Sequence, residues 1–336
     1  MEHATLIGAF AVQLLGINGA IAVFFVSRSL ESVASVAGGP AILAHLSDMT
    51  RHNHAARGRV MGYYELSLLA GLALGSLLGG ALWDRVQAWA FPLLAVIYVL
   101  VAALFWWSID REQARAPSHT HPLAELRRAV RDPQLLRLAP AWLLVNAVLG
   151  VWLTHLGYQL SGPVVAEQAL VGQFTPSRVG VVLLGYALAL AMGIVGWTVV
   201  LPHMGRVRAL RISLVALGGV CGGVAVLNAP VAWPEAVRWS AVVFVGLAVM
   251  IGSGFTPAAL AFLADVAGEG PGRGAALGIY TGLFSLGNAL GAALGGAAAQ
   301  ALALNGLILC TGALLLLALL ALRLVPQAGS ARQAPT

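Results

Sequence analysis

Runs of about twenty apolar residues, each bounded by charge, proline or glycine, recur ten times along this chain and limit what it can fold into more than any other feature. They lie at residues 5–27, 29–47, 60–82, 90–109, 138–160, 179–201, 209–229, 237–263, 275–299 and 303–325. A hydrocarbon core about 30 Å thick takes roughly 20 residues of α-helix, so every run is long enough to cross a bilayer. The expected fold class is all-α integral membrane. Composition excludes the obvious alternative: of 336 residues 59% are hydrophobic and 10% charged, where a soluble domain carries about 25% charged residues. The 40 glycines suit helices that approach closely in lipid. The first run begins Met1, Glu2, His3, Ala4, with neither a basic segment nor a small-residue cleavage site, and reads as a span and not a signal peptide.

Arginine orients the spans, because short cytoplasmic loops collect basic residues. With the N-terminus inside, the inner segments hold 15 of the 19 arginines, and the outer ones hold only Arg28, Arg85, Arg178 and Arg238. Both termini are therefore expected in the cytoplasm, in a multi-pass protein of the inner or plasma cell membrane. The net charge of +6 is a topology signal. It is spread loop by loop, without the clustered basic face a nucleic-acid site needs. The longest polar stretch, with Pro117, Pro122 and Pro133, reads as a linker over 111–137, between a four-span bundle at 1–110 and a six-span bundle at 138–325; residues 326–336 are a cytoplasmic tail. Leu123, Leu126 and Val130 in that linker have the spacing of a short surface helix.

The sequence also repeats itself. Arg57-Gly58 recurs as Arg273-Gly274, and Gly62, Gly71, Gly75, Gly79 and Gly80 recur as Gly278, Gly287, Gly291, Gly295 and Gly296, all offset by 216. Residues 40–48 (PAILAHLSD) answer to 257–265 (PAALAFLAD). Parallel repeats of this kind build two-bundle transporters. At about 100° per residue Gly71, Gly75 and Gly79 share one helix face, a groove into which another backbone can pack; ordinary small-residue helix packing gives the same pattern without any transport role.

The spacing of Gly62, Gly71, Gly75-Ser76 and Gly79-Gly80 resembles the fifth-helix motif of major facilitator superfamily antiporters, with Ser76 where the motif has proline. Gly205-Arg206-Val207-Arg208 is similar to that superfamily's cytoplasmic loop signature, with Pro202 at its acidic position. The resemblance covers residues 5–325 and implies a two-bundle helical fold whose central cavity closes and opens by rocking. If the Gly62 span is the family's fifth helix, the chain has a 4+6 arrangement lacking the first two helices: a start at an internal methionine, a truncated gene, or a real ten-helix form. In the family the fifth helix packs on the eighth and the eleventh on the second. The resemblance thus implies that Gly71, Gly75 and Gly79 face residues 179–201, while Gly287, Gly291 and Gly295 face lipid.

Ionisable groups inside spans cost roughly 2.5–3.5 kcal/mol each on insertion scales and are candidates by default. Glu65, five residues into its span beside Tyr63 and Tyr64, is the main proton-coupling candidate, or else pairs with Arg57 or Arg59 at the inner interface. Glu31 is a second, with a local pair to Arg28 as its alternative. Candidate cavity residues are Trp152, His155 and Gln159, which share a helix face; Phe255 and Thr256, which with Pro257 follow Gly252-Ser253-Gly254, where a kink would free carbonyls toward a cavity; and the stripe Tyr280, Phe284, Asn288, with core packing as its alternative.

No metal or cofactor is expected. His52, His54, His119 and His121 lie in arginine-rich loops, and Cys221 and Cys310 sit in apolar runs as small core residues. With no lysine in the chain there is no phosphate loop, and with no cluster of facing carboxylates or histidines no intramembrane enzyme. These observations point to a secondary transporter exporting a small lipophilic solute against protons. The competing reading is a truncated or degenerate relative without transport, surviving as a structural or regulatory membrane partner.

Overall fold

A computed structural model describes residue 42 and residues 54–108, 133–267 and 273–325. The helices are α1 (His54–Val86), α2 (Ala90–Ser108), α3 (Pro133–Ser161), α4 (Pro176–Val200), α5 (Arg206–Asn228), α6 (Glu235–Gly252), α7 (Phe255–Ala267) and α8 (Arg273–Ala321). All eight runs from 60–82 onward fall on these helices. The runs at 5–27 and 29–47, Glu31, the 123–130 surface helix and most of the linker lie outside the described residues. Leu135–Ser161, Pro176–Val200, Arg206–Asn228, Glu235–Phe262 and Gly278–Leu324 are each long and apolar enough to cross a membrane. Exposed Val195, Val199, Phe244 and Leu316 are as apolar as anything in the core, as helix faces turned to lipid are.

α8 has 49 residues, over 70 Å if straight, more than twice the hydrocarbon thickness. It is two helices joined by a reversal at Leu302 (φ −139, ψ 16) and Ala303 (φ 48, ψ −131), where the two runs at 275–299 and 303–325 meet. A positive φ on alanine costs on the order of 1–3 kcal/mol and persists only where the surroundings hold it. One glutamine does much of the holding. Gln168 is 7% exposed; its Nε2 donates to the Leu302 carbonyl at 2.9 Å and its Oε1 accepts from the Asn305 amide at 3.2 Å. Asn228, the last residue of α5 and 1% exposed, donates through Nδ2 to Gln168 Oε1 (3.0 Å) and Asn305 Oδ1 (2.9 Å). Its Oδ1 and carbonyl accept from the Leu170 and Ala169 amides. Three connections are thereby fastened at one end of the bundle. The 162–175 loop among them depends on Gly172, whose φ of +71 suits glycine and whose Cβ would stand 2.7 Å from the Gly162 carbonyl oxygen.

α3 runs through the middle of this half. Ala141, Ala147, Val151, Leu210, Leu214, Ala258, Ala259, Leu304, Leu307, Ala318 and Leu322 are sealed in one core built from α3, α5, α7, the second half of α8 and the turn after it, with the half-buried Tyr280, Leu283 and Ala299 of the first half packed against it. Along α3 lies the first half of α8, and the contact is close enough to exclude side chains. A Cβ on Gly291 would overlap the Ala147 carbonyl, one on Gly150 would overlap the Asn288 carbonyl, and one on Gly287 would stand 2.8 Å from the Asn146 Cβ. This corrects the expectation for the second glycine groove. Gly287, Gly291 and Gly295 are buried against α3 and do not face lipid.

The first groove is corrected in a different way. α1 does pack on α4, as expected, but through the face bearing Ser76 and Gly80: a Cβ on Gly80 would overlap the Pro176 carbonyl, and one on Gly180 would stand 2.7 Å from the Ser76 carbonyl oxygen. Gly71, Gly75 and Gly79 are exposed, and no described residue lies within 4 Å of where their Cβ atoms would be. Beyond a 3-10 turn at Gln87–Trp89, α2 is exposed along its length, from Phe91 at 63% to Trp107 at 89%.

Candidate functional site

Among the described residues, an aromatic cluster with polar groups beside it lies where α3, α7 and the first half of α8 meet. The Trp142 indole stacks on the Tyr280 ring with centroids 3.8 Å apart and planes at 23°, and lies nearly parallel to the Phe255 ring, 6.0 Å away. Trp142 Nε1 donates to the Tyr280 carbonyl at 3.1 Å, and the buried Asn146 amide donates to the Trp142 carbonyl at 2.7 Å. The indole is thus fixed in both position and tilt. Beside it is a shallow recess lined by Leu135, Leu138, Ala139, Ile279, Leu283 and the two rings. Its lining carries no ionisable side chain except the Tyr280 phenol, and its room is about that of one water molecule.

Phe255 and Tyr280 were legible as candidates; Trp142 and Asn146 were missed. Their i,i+4 spacing on the 138–160 run was the available signal, masked by Trp152, His155 and Gln159, the more polar-looking face of the same helix. The structure puts that second face elsewhere. Trp152 is half-buried against the core. His155 Nε2 is 2.8 Å from the Ala292 carbonyl oxygen; since a carbonyl only accepts, Nε2 carries the hydrogen. The imidazole fills the end of the second glycine groove, within 3.5 Å of where Gly295 and Gly296 would carry a Cβ. Gln159 is 7% exposed, and its carbonyl accepts from the Gly172 amide, tying α3 to the loop.

The break between α6 and α7 falls at Ser253 and Gly254, where a kink was expected. Its freed carbonyl does not open onto a cavity, and that expectation is corrected. The Ile251 oxygen accepts from Trp197 Nε1 at 3.0 Å, from Ser213 Oγ at 3.3 Å and from the Gly254 amide at 3.3 Å. Donors from α4 and α5 hold the break closed, and Gly254 lies against the Trp197 indole. Past it, Phe255 is buried and Thr256 exposed.

The stripe on α8 divides. Tyr280 is in the aromatic stack, Phe284 is 41% exposed, and Asn288 Nδ2 donates back to the Phe284 carbonyl at 3.1 Å. Glu65 and Gly62 lie in α1, the helix expected for them, with their side-chain surroundings outside what is described. The 201–205 connection, site of the loop resemblance, is a 3-10 turn at Leu201–His203 whose Leu201 carbonyl accepts from the Arg206 guanidinium at 3.3 Å. Among the described residues no three His, Cys, Asp or Glu side chains gather as a metal site would require.

A search of the curated proteins finds no match to this chain. The family model for the Major Facilitator Superfamily matches it over residues 4–156 and again over 147–336, so that nearly every residue is covered. With its all-helical architecture, its five described stretches able to span a bilayer and its duplicated glycine helix, the chain belongs to the major facilitator superfamily, and is a multi-pass membrane transporter of that kind.

Proposed function

We propose that the protein exports a small lipophilic solute across the cell membrane in exchange for protons, by alternating access between a bundle at 1–110 and one at 138–325. The linker at 111–137 and both termini lie on the cytoplasmic side in this reading, which the 15 to 4 arginine division supports. The observation that carries the choice of solute is the aromatic corner of Trp142, Phe255 and Tyr280 beside its apolar recess. Stacked rings and aliphatic walls reward apolar area and offer no charged partner to a sugar or phosphate.

Protons are assigned to Glu65. It is a carboxylate that the sequence places inside a span, where an ionisable group is costly and a functional candidate by default. The experiment uses the full chain in vesicles with an imposed pH gradient, an internal pH dye and a panel of amphiphilic amines. Wild type should dissipate the gradient when one of the amines is added, and Glu65→Gln should slow this by about 10²-fold or more while inserting normally. Undiminished proton movement in the variant removes Glu65 from the mechanism. A wild type that responds to no amphiphile, yet binds and moves a polar solute, overturns the choice of cargo.

A further inference from the structure

The end of α1 makes a second kind of contact with α4, one that glycine packing does not require. Asp84, in the last turn of α1, accepts through Oδ2 from the Ser177 backbone amide at 3.1 Å and also from the Ser177 hydroxyl. Ser177 is the second residue of α4. The remaining caps of that helix are local: Thr175 Oγ1 accepts from the Arg178 amide, the Thr175 carbonyl accepts from Val179, and Pro176 has no N–H to satisfy. The Ser177 amide is therefore capped from 93 residues away, by a carboxylate placed where the helix dipole favours negative charge. Four residues back along α1 is Gly80, whose backbone abuts the Pro176 carbonyl, and four further back is Ser76, abutting Gly180. Asp84, Gly80 and Ser76 form one continuous edge of α1 along the first turns of α4.

The contact is particular to the first repeat. The residue 216 positions after Asp84 is Gln300, which carries no charge. It is also exposed, at the end of the molecule that the arginines assign to the outside, and so can come apart into water. We propose that Asp84 is a latch between the two halves: capping α4 holds that end shut in the conformation described here, and the cap must release whenever that end opens. Capping by a charged group is worth more than a neutral hydrogen bond, so the carboxylate adds directional resistance to separation on top of the close packing beside it.

This inference rests on alternating access, but its test does not require transport. Spin labels are placed at Trp89 and Glu167, both exposed and lying on either side of the latch, in the full chain with Cys221 and Cys310 replaced by alanine, in lipid nanodiscs. The distance distribution should be dominated by one short population. Asp84→Ala should raise the ratio of a longer population to the short one by roughly tenfold or more; Asp84→Asn, which keeps an acceptor without charge, should raise it less. Ser177→Ala removes the hydroxyl but not the amide, and should give a smaller rise. Distributions that superimpose on wild type for folded Asp84→Ala overturn the latch. If that variant does not fold, an unchanged distribution in Ser177→Ala overturns it. A latch that responds in a protein showing no solute movement would count against the transport reading alone.

Discussion

Gly287, Gly291 and Gly295 on α8 are buried, whereas their repeat partners Gly71, Gly75 and Gly79 on α1 are exposed, although spacing and flanking arginine-glycine pair are shared. Among the described residues, the difference lies in what faces them. α3 offers α8 a complementary small face, in which Ala147 meets Gly291, Gly150 meets the Asn288 backbone and Val151 meets Gly295, and the His155 imidazole closes the end with a hydrogen bond to the Ala292 carbonyl. On α1 the working contact has rotated by one residue, about 100°, to Ser76 and Gly80 against Gly180 and the Pro176 carbonyl. Glycine spacing makes a groove available; the neighbour's side-chain sizes decide which groove is used.

The largest effect that could break this comparison is at its centre. Gly291→Leu should destabilise by about 3 kcal/mol or more, at the upper end of overpacking costs because the atoms it strikes are backbone. Gly75→Leu should stay within about 0.5 kcal/mol, as surface substitutions do. Thermal unfolding in detergent with size-exclusion profiles would read both. Equal damage would mean that residues outside the described part of the chain are seated on the Gly75 stripe.

A smaller effect tests the rotation. Gly80→Val should lower the unfolding temperature, with a cost of about 1–3 kcal/mol, while Gly79→Val, one residue away, should not. The reverse order would put the working contact back on the face that the glycine spacing suggests. The smallest effect concerns the plug in the second groove. His155→Leu keeps the volume and loses one interhelical hydrogen bond, for which membrane proteins show about 0.6 kcal/mol on average. A loss several times larger in the same unfolding measurement would show that the imidazole, and not the glycine packing, holds α3 to α8.

The Gly254 region shows why some of the site was readable and some was not. Gly252-Ser253-Gly254 before Phe255-Thr256-Pro257 marks a break because glycine and proline act locally on the backbone, and the break is there. Where its carbonyl points is not a local matter: Trp197 and Ser213 are 54 and 38 residues from Ile251. The same limit applies to Trp142, whose importance comes from Phe255 and Tyr280 arriving beside it from helices far along the chain. Gln168 and Asn228 were missed because amides near span ends look like interface residues, and only the reversal at Ala303 gives them something to hold.

By itself the sequence determined that this chain is helical and that it crosses a bilayer, and its apolar runs from residue 60 onward fall on the described helices. Length and hydropathy suffice for that, since an isolated helix already satisfies its own backbone in lipid. It also determined that the protein is built from two related parts, because a duplicated glycine register is written in the chain itself. Among the described residues, tertiary structure decided which glycine stripe is filled, which aromatic rings meet, and that a carboxylate at the end of α1 caps a helix in the other half. In lipid no hydrophobic force draws one helix face to another. Partners are chosen by close fit and by single hydrogen bonds between distant segments, and periodicity along one helix does not record the shape of the next.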